Sequence, residues 1–302
     1  YNTAVGQNSL RNNTASNNTA VGYQALTNTS TGEVNSGFGA LSLYTNTTGF
    51  GNTAVGKNSL YTNNGNNNTA VGHEALELNA SGDNNVAVGR EALENNTASN
   101  NTAVGYQALT ANTSGTLNTA VGYQALDANT TGQFNTAVGA SSSGSITTGE
   151  QNVSFGLNSL ASNQTGSHNT AIGKDALFAN TASNNTAVGD SALENNTSGT
   201  PNTAVGFEAL KANTSGVRNS GLGYQVLDNN TTGTDNDGFG YQTLYSNTTG
   251  NYNTAFGRVA LHLNQTGTQN VAVGANALFN NTASNNTAVG YRALTANTTG
   301  TG

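Results

Sequence analysis

The sequence predicts an all-β protein, a parallel β-solenoid or β-roll of about 18 coils, each sixteen or seventeen residues long. Three observations predict it. A short motif, Asn-Thr-Ala-Val-Gly or a close variant, recurs through all 302 residues. Its glycines are spaced by seventeen positions in twelve intervals and by sixteen in the other five. Around each glycine the residue types are held fixed, while the stretches between drift. Periodicity this strict separates a stacked repeat from low-complexity disorder, which the polar composition alone would also allow.

The first element is a pair of residues four apart. Asn2 and Gly6, Asn18 and Gly22, Asn52 and Gly56, Asn101 and Gly105, Asn152 and Gly156, and Asn270 and Gly274 are instances, and every other copy keeps both residues. A glycine that never varies predicts a tight corner, with positive φ or close backbone approach. Asparagine suits turns, and its amide can satisfy backbone groups. Stacked at one place in successive coils, these amides are expected to bond along the solenoid as ladders. A second asparagine follows seven positions after the glycine in sixteen copies, replaced only by Thr29 and Ile146.

The apolar positions come next. The residue before the glycine is valine or a larger group such as Phe38, Phe155, Ile172, Leu222, Phe239 or Phe256. The one before that is small: alanine, serine or glycine. Leucine stands four past the glycine in seventeen copies, with Ser143 the exception. These positions predict two short strands per coil, one over Asn-Thr-Ala-Val and one leading to the leucine. Valine and leucine are expected to stack inside, and threonine, which shares the strand phase of valine, to face largely inward with it. Helix is opposed by the density of Gly, Asn and Thr.

The shorter units lose their residue in the turn, as Asn13-Thr14-Ala15-Ser16-Asn17 shows beside Asn46-Thr47-Thr48-Gly49. A loop absorbs a deletion at modest cost, whereas a slip within a strand would reverse its faces. At a sheet spacing of about 4.8 Å per coil, the array would span roughly 85 Å.

Composition narrows the function. Charged residues are 8% of the chain, against about a quarter in ordinary globular proteins. The net charge of -7 arises from 15 acids and 8 bases with no basic patch, so a nucleic-acid backbone has nothing to meet. No apolar run approaches a membrane span, and no direct membrane insertion of this segment is expected. The array is expected to be one continuous domain, 1–302, cut or processed from a longer protein, because Tyr1 stands within a repeat.

Residues fit for chemistry are sparse. His73, His168 and His262 share no repeat phase; Asp235 and Asp237, flanking Asn236, suit either a calcium loop or a plain polar turn. Glu74, Glu77, Glu91 and Glu94 read as solvent-side substitutions. No nucleophile-base pair or phosphate loop appears, so no enzyme activity, metal or cofactor is expected. The position just after the glycine is more distinctive, with Tyr23, Tyr106, Tyr123, Tyr224, Tyr241 and Tyr291. Tyr44, Tyr61, Phe178, Tyr245 and Phe279 recur five past it. Such aromatics beside amides could contact a glycan or protein receptor, or they could shield coil edges and pack between chains. Threonine columns raise ice binding as an alternative, and Asn-X-Ser/Thr sites at Asn28, Asn46 and Asn247 would accept N-glycans in a suitable host.

Asn270-Val271-Ala272-Val273-Gly274 and Asn169-Thr170-Ala171-Ile172-Gly173, with the Asn-Thr-Ala-Val-Gly copies beside them, resemble the head repeats of YadA-like trimeric autotransporter adhesins. The pattern is also similar to repeat regions of phage tail fibres and giant surface proteins. The resemblance implies a left-handed parallel β-roll, commonly trimeric, displayed outside a cell or virion and used in attachment. The family's head repeats are shorter than these, and this chain shows no coiled-coil stalk, anchor or chaperone domain. A protomer that stacks end to end into a filament therefore stands beside the trimer. The expected function is that of a non-catalytic extracellular fibre or adhesin rod, its partners copies of itself. The alternative is a glycan- or ice-binding module.

Overall fold

A computed structural model describes residues 1–301. It is all-β, with eighteen parallel strands of three residues each and no helix among the described residues. The chain divides into two compact units, Tyr1–Gln151 and Asn152–Gly302. The first holds β1 (Thr3–Val5) to β9 (Thr136–Val138), and the second β10 (Val153–Phe155) to β18 (Thr287–Val289). Within each unit every strand pairs with the next in the chain, and equivalent residues face each other. Thr102, Ala103 and Val104, for example, lie against Thr119, Ala120 and Val121. Each unit is thus a parallel β-solenoid with one strand per coil, the class the periodicity predicts.

The second strand of each coil does not form. The segment after the motif glycine alternates backbone hand instead. The residue two past the glycine has φ between 50° and 61°, and the residue four past it between 49° and 55°. A left-handed leucine is disfavoured by about 1 kcal/mol or more, yet it recurs in all the coils that carry one. The hydrogen bonds explain why. Two past the glycine the amide donates back to the preceding coil, as Gln107 N does to Arg90 O at 3.0 Å. Four past it the amide donates forward, as Leu109 N does to Ala125 O at 3.0 Å. Alternating hand points successive amides in opposite axial directions, so each finds a carbonyl while the chain turns its corner.

The core is thinner than the sequence suggests, and valine is not part of it. Outside the first and last coils the leucine is fully buried, and so are the alanine of Thr-Ala-Val and the alanine or serine before the leucine. Valine points outward, correcting the expectation of an internal valine stack. Val55, Val71, Val88, Val104 and Val121 keep 36 to 39% of their surface exposed. Strand alternation allows one face inside, and the small residue has it. Space there is tight. A Cβ on Gly238 would lie 2.7 Å from Cγ1 of Val226, a residue that replaces the usual alanine, so the glycine admits the larger neighbour.

The asparagines form the ladders expected of them. Each motif Asn N–H donates to Oδ1 of its predecessor within the unit: Asn18 to Asn2, Asn52 to Asn35 and Asn101 to Asn85, all at 2.9 Å, and Asn270 to Asn253 at 3.0 Å. Its Nδ2 donates to a turn carbonyl, as Asn152 does to Gly166 at 3.0 Å. The second asparagine converges on the same acceptor. Gly82 O receives Asn68 Nδ2 and Asn79 Nδ2, both at 2.8 Å. In a shortened coil Asn96 reaches Ala98 O, two positions on rather than three, at 2.7 Å. The deletion therefore sits in the turn and leaves the clamp intact.

The motif glycines have φ of 125° to 143°. At Gly105 a Cβ would overlap the carbonyl oxygen of Gly122 in the next coil, so strain and collision act together. Gly105→Ala is expected to cost more than about 2 kcal/mol. Gly144→Ala, where the nearest atom is Asp127 Oδ1 at 3.2 Å and φ is unstrained, should change little. Thermal unfolding of the two variants measures the contrast.

The coil after Gly139 carries two departures three positions apart, Ser143 in the leucine column and Ile146 in the asparagine column, both buried. Asn129 Oδ1, which the ladder would pair with an asparagine at 146, has no hydrogen-bond partner. The paired change Ser143→Leu and Ile146→Asn restores both columns. It is expected to stabilise by about 1–2 kcal/mol, more than the sum of the two single changes, as chemical denaturation of all three variants would show.

Candidate functional site

The outward strand face is the most regular surface of the protein. Threonine and valine of each motif project from it, and parallel register carries both types into columns. Of the outward positions in all eighteen strands, Asp237 alone is charged. The threonine column faces solvent too, which overturns the expectation that it turns inward with valine. The signal was present in the sequence. The valine position tolerates Phe38, Phe155 and Leu222, whereas the position before it admits only Ala, Ser or Gly. Freedom in size marks an open site, and restriction in size marks a closed one.

In the second unit this face carries an apolar protrusion over β14 (Ser220–Leu222), β15 (Asp237–Phe239) and β16 (Thr254–Phe256). Phe239 and Phe256 stack with centroids 4.5 Å apart and planes 7° from parallel. Leu222 beside them is 50% exposed and Phe256 43%.

The tyrosines after the motif glycine also line up. Tyr106 stacks on Tyr123 at 5.5 Å in the first unit; Phe207, Tyr224 and Tyr241 form a three-ring column at 5.2 Å steps in the second. Arginines cap the columns: Arg90 lies 5.8 Å from the Tyr106 ring centre and Arg258 5.8 Å from that of Tyr241. Tyr23 is exposed, and Tyr291 lies under Arg292 at 5.3 Å. Amide columns run alongside. Gln124 Nε2 donates to Gln107 Oε1 at 2.9 Å, and Gln242 Nε2 to Gln225 Oε1 at 2.8 Å. A second aromatic column holds Tyr245, His262 and Phe279, with Tyr44 on Tyr61 in the first unit. Stacking leaves edges and hydroxyls outward and occupies most ring faces. Sugar rings seek aromatic faces, so these columns suit edge shielding and protein contact better than a glycan.

The remaining candidates disperse. Asp235 is held by Arg218 through bonds of 2.6 and 2.8 Å, which keep its carboxyl below the usual range. Asn236 is committed to its ladder, and Asp237 projects from the strand, so no calcium loop assembles. Among the described residues no group of three or more His, Asp or Glu could hold a metal. Glu91 pairs with Arg90 at 2.6 Å and accepts from Gln107 at 2.6 Å. Asn46 and Asn247 are fully buried, with amides donating to Gly49 and Gly250, so in the folded chain these two are closed to N-glycosylation.

Sequence and geometry together define a parallel β-solenoid repeat protein whose surface is a set of in-register columns. No protein-family model matches the chain, and no curated protein is significantly similar to it.

One charged column is expected to make stability depend on pH. Lys211 lies 3.6 Å from Glu194 and 2.7 Å from Glu208. Burial, with the Glu208 carboxylate adding to it and Lys211 opposing, raises the Asp228 carboxyl from 3.8 to about 6. The folded state then holds a proton that the unfolded chain has released. Stability contributed by protonated Asp228 is full below pH 3.8 and is lost as pH rises through about 6. Asp228→Asn is expected to flatten that part of the pH–stability curve. At neutral pH it should stabilise the protein by about 1 kcal/mol, allowing for the site's partial exposure. Urea unfolding of both proteins across the window provides the check.

Proposed function

We propose that the chain is a non-catalytic structural segment of an extracellular fibre or adhesin, kindred to the head repeats of YadA-like trimeric adhesins, and that it assembles with copies of itself. The observation that carries this reading is the Leu222–Phe239–Phe256 protrusion on a strand face whose single charged residue is Asp237. Contiguous exposed apolar groups mark interaction surfaces, and aromatic anchors dominate the centres of protein interfaces. A second copy presents the same face, so two copies can meet through it in the self-complementary way that a two-fold contact requires. The ladders support the mechanical half of the proposal. Each coil is bonded to its neighbours through backbone and amide groups, and load is shared among many parallel bonds rather than concentrated in one core.

The test is the solution mass of the full chain by sedimentation equilibrium. An oligomer is expected, and Phe239→Val with Phe256→Val, which restores the residue usual in this column, should weaken its association at least tenfold. A chain that stays monomeric over a wide concentration range, or an oligomer indifferent to both changes, would overturn the proposal.

A further inference from the structure

We infer that the outward strand face of the first unit is an ice-binding surface, its ligand the ordered water of a crystal face. The inference goes beyond the assembly reading and uses a different unit. From β4 (Thr53–Val55) through β9, six strands in unbroken register present Thr53, Thr69, Val86, Thr102, Thr119 and Thr136 in one column and six valines, from Val55 to Val138, in the other. None of these positions holds a charge, an aromatic ring or a long flexible side chain. Of the charged groups of those coils, Lys57, Glu74, Glu77, Arg90, Glu91, Glu94 and Asp127 lie in the segment after the motif glycine, and Asp83 and Glu150 stand in the turns that precede the next motif; none lies on a strand.

Spacing supplies the second argument. Parallel strands repeat at about 4.8 Å and alternate residues along a strand at about 6.6 Å. The columns are therefore a rectangular grid of small groups, and these two repeats approach the oxygen spacings on the prism faces of hexagonal ice. A neutral crystal of water offers no charge to match, and the face brings none. Each grid point carries a methyl, which orders water around itself, and most points in one column add a hydroxyl.

Four of these hydroxyls are also free to act. Among the described residues no hydrogen bond within the protein engages the hydroxyls of Thr53, Thr69, Thr102 or Thr119. The turn threonines contrast with them. Thr97, Thr113 and Thr130 donate theirs to carbonyls of the next coil, at 2.8, 3.0 and 3.0 Å. These four strand threonines thus keep donor and acceptor for water at the surface, held in place by a hydrogen-bonded backbone. Preorganised groups bind an ordered lattice without the entropy loss that mobile side chains incur.

The experiment is nanolitre osmometry with crystal imaging on the full chain. A thermal-hysteresis gap and faceted ice crystals are expected. Thr102→Asp, at the centre of the face, should remove most of the gap. The fold accepts that residue type there, because Asp237 occupies the equivalent strand position. Thr102→Ser with Thr119→Ser, a type already present at Ser36 and Ser220, should reduce the gap without affecting the circular dichroism spectrum. Tyr106→Ala with Tyr123→Ala, on the aromatic column, should leave it unchanged. Absence of hysteresis in the unsubstituted chain overturns the inference, and so does hysteresis that survives both strand-face variants. Solution mass is read on the same samples, so loss of assembly is distinguished from loss of ice affinity.

Discussion

Two asparagine amides meeting on one turn carbonyl are the interaction on which the rest of this protein depends. Gly216 O receives Asn202 Nδ2 at 2.9 Å and Asn213 Nδ2 at 3.1 Å, and the pairing recurs in both units, with one amide missing where Thr29 and Ile146 replace the second asparagine. The groups are buried, so leaving any of them unpaired would cost more than a typical hydrogen bond contributes. A coil that slipped by one residue would strand both amides and the carbonyl. Register is therefore fixed by polar satisfaction, whereas in most sheets it is fixed by the hydrophobic pattern. This is what allows so thin a core, with one leucine and two small residues per coil, to hold a unique structure.

Fixed register has consequences outside as well as inside. Because each coil sits directly against its neighbour, like residues meet like, and any outward position becomes a column. Tyrosines stack, glutamines bond side by side, and an acid such as Glu91 finds Gln107 one coil on. The backbone bears a local cost for this order. Left-handed leucines recur in both units because reversing the hand of alternate residues points amides alternately backward and forward, toward both neighbouring coils at once.

The fold class, the coil length, the ladders and the placement of length variation were all legible in the residues, since each follows from a fixed spacing and a fixed residue type. Two features were not. The segment before the leucine reads as a strand by composition, and only the axial direction of its amides shows that it must alternate hand. The valine column reads as core because valine is apolar. Its variation to phenylalanine and leucine was the contrary signal, outweighed by hydropathy. The surface face that follows from this correction was thereby hidden, together with the exposed threonines that share it. The aromatic columns were visible as a recurring position, but stacking and the loss of open ring faces required the register of the coils.

The shortened turns have a consequence at the level of the gene. The turn carbonyl stands three positions before the next motif asparagine in long and short coils alike, as Gly82 does before Asn85 and Ala98 before Asn101. The surface a coil offers to its successor is therefore the same for both lengths. Whole coils can be duplicated, lost or exchanged by unequal recombination without repairing a junction, and a shortened coil can be inherited anywhere in the array. The length of the protein becomes a trait that changes in steps of one coil, each step preserving the packing of everything on either side.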